Sequence, residues 1–157
     1  MDGKAVCRVM LYSYQKLEGK CRVIDMHIKT KAIHSAFRNT MATYKEIEQL
    51  TSEKIAYINT KVIIDQALAT LYRKYELEQH HLKGVSIEQL ASEIKLAENT
   101  ILSRAQRQRD ALYEAILRIY TAEELLDIIC DSEWLMSMYK RELKANIKRA
   151  NSQLSVK

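Results

Sequence analysis

The sequence predicts an all-α fold, and three observations support that prediction. The chain of 157 residues has no proline and only three glycines, so it lacks the residues that sheet-rich folds use for tight turns. Apolar residues recur at intervals of three and four along most of the chain, which is the spacing of one face of a helix. Because 47% of the residues are hydrophobic, a chain of this length can bury a core.

The first predicted element is a long helix with a heptad-like apolar stripe. The stripe follows steps of four and three residues through Met10, Tyr14, Leu17, Cys21, Ile24 and Ile28. A stripe of this kind packs against a partner helix. The partner is either a second copy of the chain, which would make a homodimer, or the next helix of the same chain, and the sequence leaves both open.

A second long helix is predicted after a break at residues 35–40. Thr43 and Glu46 have the spacing of a capping box, in which two side chains satisfy two free backbone donors, so we expect the helix to begin there. Its apolar positions lie near one broad side, as one helix of about thirty residues or as two with a bend. These positions are Ile47, Leu50, Ile55, Ile58, Val62, Leu68, Leu71 and Tyr75. The two long helices make residues 1–78 a helical hairpin for oligomerisation or partner binding.

Residues 79–120 have the pattern of a helix-turn-helix. Ser86 and Gln89 form a second capping box, which opens a short helix. A turn at residues 95–97 then leads into a longer helix from about Glu98. The inward-facing positions are Ile87, Leu90, Ala91 and Ile94 in the short helix and Ile101, Ala105, Leu112 and Ile116 in the long one. Two helices of unequal length separated by three residues fit helix-turn-helix geometry.

Residues 121–157 predict a C-terminal helix with a basic end. Thr121 and Glu124 form a third capping box, from which we expect one helix running from about Ala122 to about Ala150. Its first half is acidic and its second half is basic. That order suits the helix macrodipole, so dipole matching and solvation are the simpler interpretation of the basic end.

The segment from residue 71 to residue 112 resembles region 4 of bacterial sigma factors. That family has an aromatic-rich helix, then S-x-E-E-I-A, then S-x-x-T-V-x-x-R. This chain has LYRKYELEQHHLKGVSIEQLA followed by AENTILSRAQRQRDAL. With TYKEIEQLTSEKIAYINTKVIIDQAL upstream, it is similar to the ArpU-type late regulators of Firmicute phages. The resemblance implies a transcriptional regulator that binds double-stranded DNA in the cytoplasm of a bacterial host, and whose long helices dimerise or contact RNA polymerase.

Two positions depart from the family pattern. Lys95 stands where the family has glycine in the turn, and Ala97 stands where it has a Ser or Thr cap. A non-glycine residue in a left-handed turn costs on the order of 1 kcal/mol. A lost cap costs about another 1 kcal/mol. We expect the fold to tolerate both.

If the module binds DNA, its basic and short polar side chains supply the contacts. Phosphate contacts are expected from Lys83, Lys95, Arg104, Arg107 and Arg109. Asn99, Thr100 and Ser103 place short polar groups where the second helix enters the major groove, and Gln106 follows. Base-edge contacts are expected from Asn99, Ser103 and Gln106. Five basic and three acidic residues give the segment from Lys83 to Arg109 a net charge of only +2. A dimer, or residues 140–149, would strengthen binding.

Two alternative functions stay open. The module could serve a phage DNA-packaging or replication accessory protein that binds DNA without promoter specificity. The chain could also be a helical protein-interaction adapter that binds no DNA, its arginines merely solvated.

Nothing in the sequence points to an enzyme, a cofactor or a metal. His80 and His81 are adjacent, so they project to different sides of a helix, and no cysteine or carboxylate completes a zinc spacing. The three cysteines, Cys7, Cys21 and Cys130, match no disulfide framework, which favours a reducing cytoplasm. Cys130 and Trp134 are expected in the core. No apolar run approaches the roughly 18–20 residues of a membrane span.

Overall fold

The computed structural model describes residues 2–35 and 39–155, and every regular element in these ranges is helical. The predicted all-α class is therefore confirmed. The elements are α1 Gly3–His34, α2 Thr40–Ala69, α3 Tyr75–Leu77 with a π-helical turn Glu78–Leu82, α4 Ile87–Ile94, α5 Glu98–Ile119, α6 Ala122–Ile129 and α7 Glu133–Leu154. No helix among the described residues is long and apolar enough to cross a lipid bilayer.

The apolar stripe of α1 packs within the chain, against α2. Met10, Leu17 and Ile24 are buried in the core, and the remaining members of the stripe are partly buried against it. Tyr14 Oη donates to Asp65 at 2.6 Å, which joins the two helices at their outer edge. The sequence left open whether the stripe packs against a second copy or against the next helix of the same chain, and in the structure it packs against that next helix. This face of α1 is therefore not available to a second copy.

The predicted N-cap of α2, Thr43, was wrong by four residues. Asn39 caps the helix, because its Oδ1 accepts from the backbone N–H of Met41 at 3.0 Å. Asparagine is among the preferred capping residues, so the helix begins at Thr40, one turn before the Thr43 box. Thr43 is instead buried inside the first turns. Ala36, Phe37 and Arg38, which belong to the predicted break, lie outside the described residues.

The α2 helix is unbroken from Thr40 to Ala69, so of the two predicted alternatives it is the single helix of 30 residues. Tyr75 does not belong to it but begins α3. Residues 70–74 connect α2 to α3, and residues 71–74 line an open cleft.

The core is one continuous cluster to which α1, α2, α5, α6 and α7 all contribute. The α1 helix packs against each of the other four. Its first turns are consequently buried all round, from Ala5 to Met10 with the exception of Arg8. Cys7 lies there, and burial raises the pKa of its thiol to about 12.

The C-terminal region forms two helices, so the prediction of one from about Ala122 to about Ala150 was wrong. The α6 helix ends at Ile129 and α7 begins at Glu133. Ser132 makes the break: its buried Oγ accepts from Leu135 N at 3.1 Å and donates to Tyr57 Oη, also at 3.1 Å. Apolar spacing continues on both sides of this break, so periodicity did not reveal it.

Other expectations for this region had mixed outcomes. The Thr121 and Glu124 capping box is present with both of its hydrogen bonds. The last turn of α7 carries no basic residue, so dipole matching does not explain the basic stretch. Trp134 packs against the core, with Lys20 Nζ 4.5 Å from its ring. Cys130 is exposed instead of buried.

Candidate nucleic-acid interface

The predicted helix-turn-helix is formed by α4 and α5. Ser86 caps α4, with its Oγ accepting from Gln89 N at 3.1 Å. The side chain of Gln89 donates to Glu93 instead of completing a capping box. Leu90 of α4 is fully buried, as is Ile101 in the first turn of α5. Each helix is thus anchored by the side predicted to face inward.

The turn between α4 and α5 has the strained geometry expected from the sequence. Lys95 is left-handed, with φ 61° and ψ 43°, the one non-glycine residue with positive φ among those described. Its N–H still bonds to the carbonyl of Ala91, which closes the C-terminal end of α4. Ala97 occupies the N-cap position of α5 without a side-chain hydrogen bond. Leu96 is partly buried between them, as the turn requires.

The side of α5 opposite its anchored residues is open to solvent. Asn99, Ser103 and Gln106 are all exposed. Thr100 is half-buried and lies at one edge of this face. The spacing of three to four residues per turn also places the exposed Asp110 on the same face, one turn after Gln106. This carboxylate was not singled out in the sequence, and it limits the positive charge of the surface.

The five candidate phosphate ligands fall into two groups. Lys83, Lys95 and Arg107 are exposed, and none of them forms an ion pair with another described residue. The other two make contacts inside the protein. Arg104 lies 3.3 Å from Glu76 Oε1, and Arg109 is half-buried against α1, where it donates to Tyr12 Oη at 3.4 Å. Arg109 is therefore the least accessible of the five.

A buried polar network attaches α3 to α5. Gln108 Nε2 donates to Glu76 Oε2 at 2.7 Å, and Gln108 Oε1 accepts from Leu77 N at 2.9 Å. Burial by itself raises the pKa of Glu76. Hydrogen bonds from Gln108 and from the residue's own backbone, together with Arg104, outweigh burial and hold that pKa below its usual value of 4.5. Glu76 thus stays ionised and neutralises part of Arg104.

The π-helical turn holds the module against α1. The side-chain amide of Gln15 donates to the carbonyl of His81 at 2.6 Å. Gly84 has φ +73°, and a Cβ at this position would lie 3.1 Å from Gln15 Oε1. His81 stacks on Tyr12 with ring centroids 5.8 Å apart. Burial, with help from the charges of His80 and Arg109, lowers the pKa of His81 to about 4.

These histidines have structural partners. His80 Nδ1 lies 2.9 Å from the carbonyl of Val85, and its ring contacts that of His81 edge-on. Among the described residues there is no group of three or more His, Cys, Asp or Glu side chains that could hold a metal ion.

A second feature of the module, an open cleft, was missed in the sequence. The cleft has a volume of about 1160 Å³ and lies between the connection after α2 and the first turns of α5. Tyr72, Arg73 and Tyr75 form one side, and Tyr72 is 96% exposed. The alternation of aromatic and basic residues in LYRKY was the available signal, because nucleic-acid surfaces commonly interleave the two.

The basic residues of α7 lie elsewhere. Asn146 donates to Asp2 at 2.9 Å, and Arg8 pairs with Glu142, so the basic half of α7 runs beside the start of α1. Gly3 in turn lies against Leu117, near the end of α5. Leu117 is about 27 Å along α5 from Asn99 at 1.5 Å per residue. Residues 140–149 therefore do not extend the Asn99 face directly.

Comparison of the chain with protein-family models, with curated proteins and with solved structures finds no match. The likeness to sigma region 4 accordingly rests on the residues quoted above.

Proposed function

We propose that this chain is a phage-type transcriptional regulator that binds double-stranded DNA by placing α5 in the major groove. The observation that carries the proposal is the polar face of α5, where Asn99, Ser103 and Gln106 are exposed while Ile101 and Ala105 anchor the opposite side. An α-helix about 10–12 Å across fits a major groove about 12 Å wide. Asn and Gln amides can pair bidentately with adenine.

Electrostatic attraction would come from the unpaired cations around that face. Lys83, Lys95 and Arg107 can each neutralise one phosphate. Asp110 opposes them, and Arg104 is partly neutralised by Glu76. Binding by one copy should therefore be modest, and its salt dependence should be that of a few phosphate contacts. A homodimer, which would double these contacts, has to use a surface other than the stripe of α1. We also propose that the long helices of this protein contact RNA polymerase in a bacterial cytoplasm.

The test is selection of bound sequences from random duplex DNA, followed by anisotropy measurements on the selected duplex. We expect one enriched motif, and we expect the Asn99→Ala, Gln106→Ala double variant to lose preference for it by roughly tenfold or more, since each bidentate pair is worth about 1–3 kcal/mol. Asn151→Ala, at an exposed site on α7, is the control. Binding without any enriched motif would contradict promoter recognition and favour the packaging or replication alternative.

The adapter alternative is favoured by one observation, the exposed carboxylate of Asp110 on the face assigned to DNA. An adapter should not bind duplex DNA even at about 50 mM salt, where phosphate contacts are strongest. Absence of binding there would replace the proposed function with this one.

A further inference from the structure

We infer that the cleft between residues 72–75 and the first turns of α5 binds the phosphodiester backbone of duplex DNA. This inference rests on the proposed function of α5 and deepens it. The cleft would hold the strand that borders the major groove while the exposed face of α5 lies in the groove. It assigns a DNA contact to Tyr72 and Arg73, two residues outside the helix-turn-helix.

Residues with hydrogen-bond donors in their side chains line the cleft on both sides. One wall carries the hydroxyl groups of Tyr72 and Tyr75 and the guanidinium of Arg73. The other carries the hydroxyl of Thr100 and the guanidinium of Arg107. Phosphate oxygens accept from all of these groups. Donor-bearing residues on both sides of a cleft fit an extended anionic strand.

The cations of the cleft are not equivalent. Arg73 is exposed and makes no ion pair or hydrogen bond with another described residue. Arg107 has only a long contact, 3.4 Å, to the carbonyl of Ser103. Lys74 instead donates to the carbonyl of Leu68 and lies 3.8 Å from Glu78. Arg73 and Arg107 are thus the free charges, one on each wall.

The acidic residues of the cleft are already neutralised. Glu76 is buried and paired with Arg104, and Glu78 lies near Lys74. The two hydrogen bonds between Gln108 and α3 also hold the two walls together before any ligand arrives. A preorganised, net positive cleft loses little entropy when it binds an anion.

The cleft adjoins the face that the proposed function uses. Thr100, Arg107 and Ala111 form a stripe at helical spacing along α5 on the cleft side, next to the stripe of Asn99, Ser103 and Asp110. A helix lying in the major groove has a phosphate backbone on each side of it. A duplex docked on the second stripe would bring one backbone to the first.

Binding of a random-sequence duplex of 24 base pairs by an Arg73→Ala variant tests this inference. We expect the affinity to fall about fivefold and the slope of log affinity against log salt to decrease by about one, because one phosphate contact contributes about 0.9 to that slope. Lys29→Ala is the matched control, since it removes one exposed positive charge from the far half of α1. It should change neither quantity measurably. Arg73→Lys should retain most of the affinity, and thermal melting of each variant shows that it is folded.

The outcomes separate this inference from the proposed function. Suppose that Arg73→Ala binds the duplex with the same affinity and salt slope as Lys29→Ala, while the Asn99→Ala, Gln106→Ala double variant still loses preference for the selected motif. The cleft assignment is then wrong and the proposed function stands. If Arg73→Ala weakens every duplex equally but no motif can be selected, the cleft assignment stands and promoter recognition is wrong. The cleft assignment is also overturned if Arg73→Ala weakens binding of a single strand or of polyglutamate more than that of the duplex. Absence of duplex binding by the wild type overturns both.

Discussion

Two residues of the turn before α5 depart from the pattern of the family that the segment resembles, and one of them stores strain. Lys95 has φ 61°, a conformation that a side chain with a Cβ adopts at a cost. Ala97 occupies a cap position without an acceptor for the free N–H groups of α5. Both departures are local, and the burial of Leu90 and Ile101 maintains the crossing despite them.

Replacing Lys95 by glycine should therefore stabilise the fold while it weakens DNA binding. We expect Lys95→Gly to raise the free energy of unfolding by roughly 0.5–1 kcal/mol, because glycine adopts this φ without strain. Duplex affinity should fall with the loss of one phosphate contact. Urea denaturation and anisotropy measure the two effects. The control Lys95→Ala keeps the Cβ, so it should lose duplex affinity without gaining stability. If the glycine and alanine variants are equally stable, the backbone at residue 95 is not strained.

Residue His81 should make stability depend on pH. Its pKa is about 4 in the fold, below the usual 6.5. Between these values the unfolded chain binds a proton that the folded chain does not, so stability falls as the pH drops from 6.5 towards 4. Because the ring is partly exposed, we expect a loss of roughly 1–2 kcal/mol.

Denaturation midpoints at pH 7 and pH 5 measure this loss. The His81→Gln variant should show a smaller decrease between the two values. The variant His27→Gln, at an exposed position of α1, should behave as the wild type. An unchanged decrease in His81→Gln would assign the pH dependence to other groups.

Among the elements, α5 has one side that packs in the core and another that is open to solvent. One side carries Ile101, Leu112 and Ile116 into the interior, and the other is polar. The spacing of apolar residues predicted the buried side correctly. It could not predict that Arg104 and Arg109 contact Glu76 and Tyr12, because those partners are 28 and 97 residues away in the chain.

The polar face of α5 also carries Asp110, whose negative charge opposes the binding of phosphates. Asp110→Asn should raise duplex affinity about twofold to fivefold, because it removes a like charge within a Debye length of the phosphates, about 10 Å at 0.1 M salt. The gain should diminish at high salt. Glu114→Gln, one turn further from the start of α5, is the control and should have a smaller effect. A lower affinity in Asp110→Asn would indicate that this carboxylate contacts a base.

Helix starts were predictable at two sites where a capping-box spacing marks the true cap. Ser86 and Thr121 bond to N–H groups three residues on, and both were identified from spacing. The cap at Ser132 was missed although its Oγ also accepts from an N–H three residues on, because position 135 is leucine and no capping-box pair marks the site. Thr43 and Glu46 have the spacing of a capping box, but Asn39 caps α2 four residues earlier.

At the scale of the whole molecule, α1 holds the other helices together. It packs against α2, α5, α6 and α7 and buries residues around its full circumference at its start. Its stripe is therefore part of the core of this chain.

A substitution in that stripe tests this role. Leu17 is 1% exposed, so Leu17→Ala should lower the free energy of unfolding by about 2–5 kcal/mol, as large-to-small changes in a core do. Met26→Ala, 67% exposed on the opposite side of α1, should change it by less than about 0.5 kcal/mol. Chemical denaturation gives both values. Sedimentation should show the same oligomeric state for Leu17→Ala and the wild type, and dissociation of an assembly would return the stripe to an interface between copies.

The sequence by itself determined that this protein is helical, which sides of α1 and α5 are buried, and where the turn at residues 95–97 lies. These are properties of a few neighbouring residues, and helical periodicity and capping depend on little else. The side predicted for α2 was mostly wrong, because Ile55, Ile58 and Val62 are exposed while Ala56, Tyr57, Ile63 and Ile64 are buried. Only the tertiary structure decided that α1 packs on α2, that Arg104 and Arg109 have internal partners, and that Tyr72 and Arg73 face α5 across a cleft. The contacts of a face or a charge depend on residues distant in the chain, which no local pattern encodes.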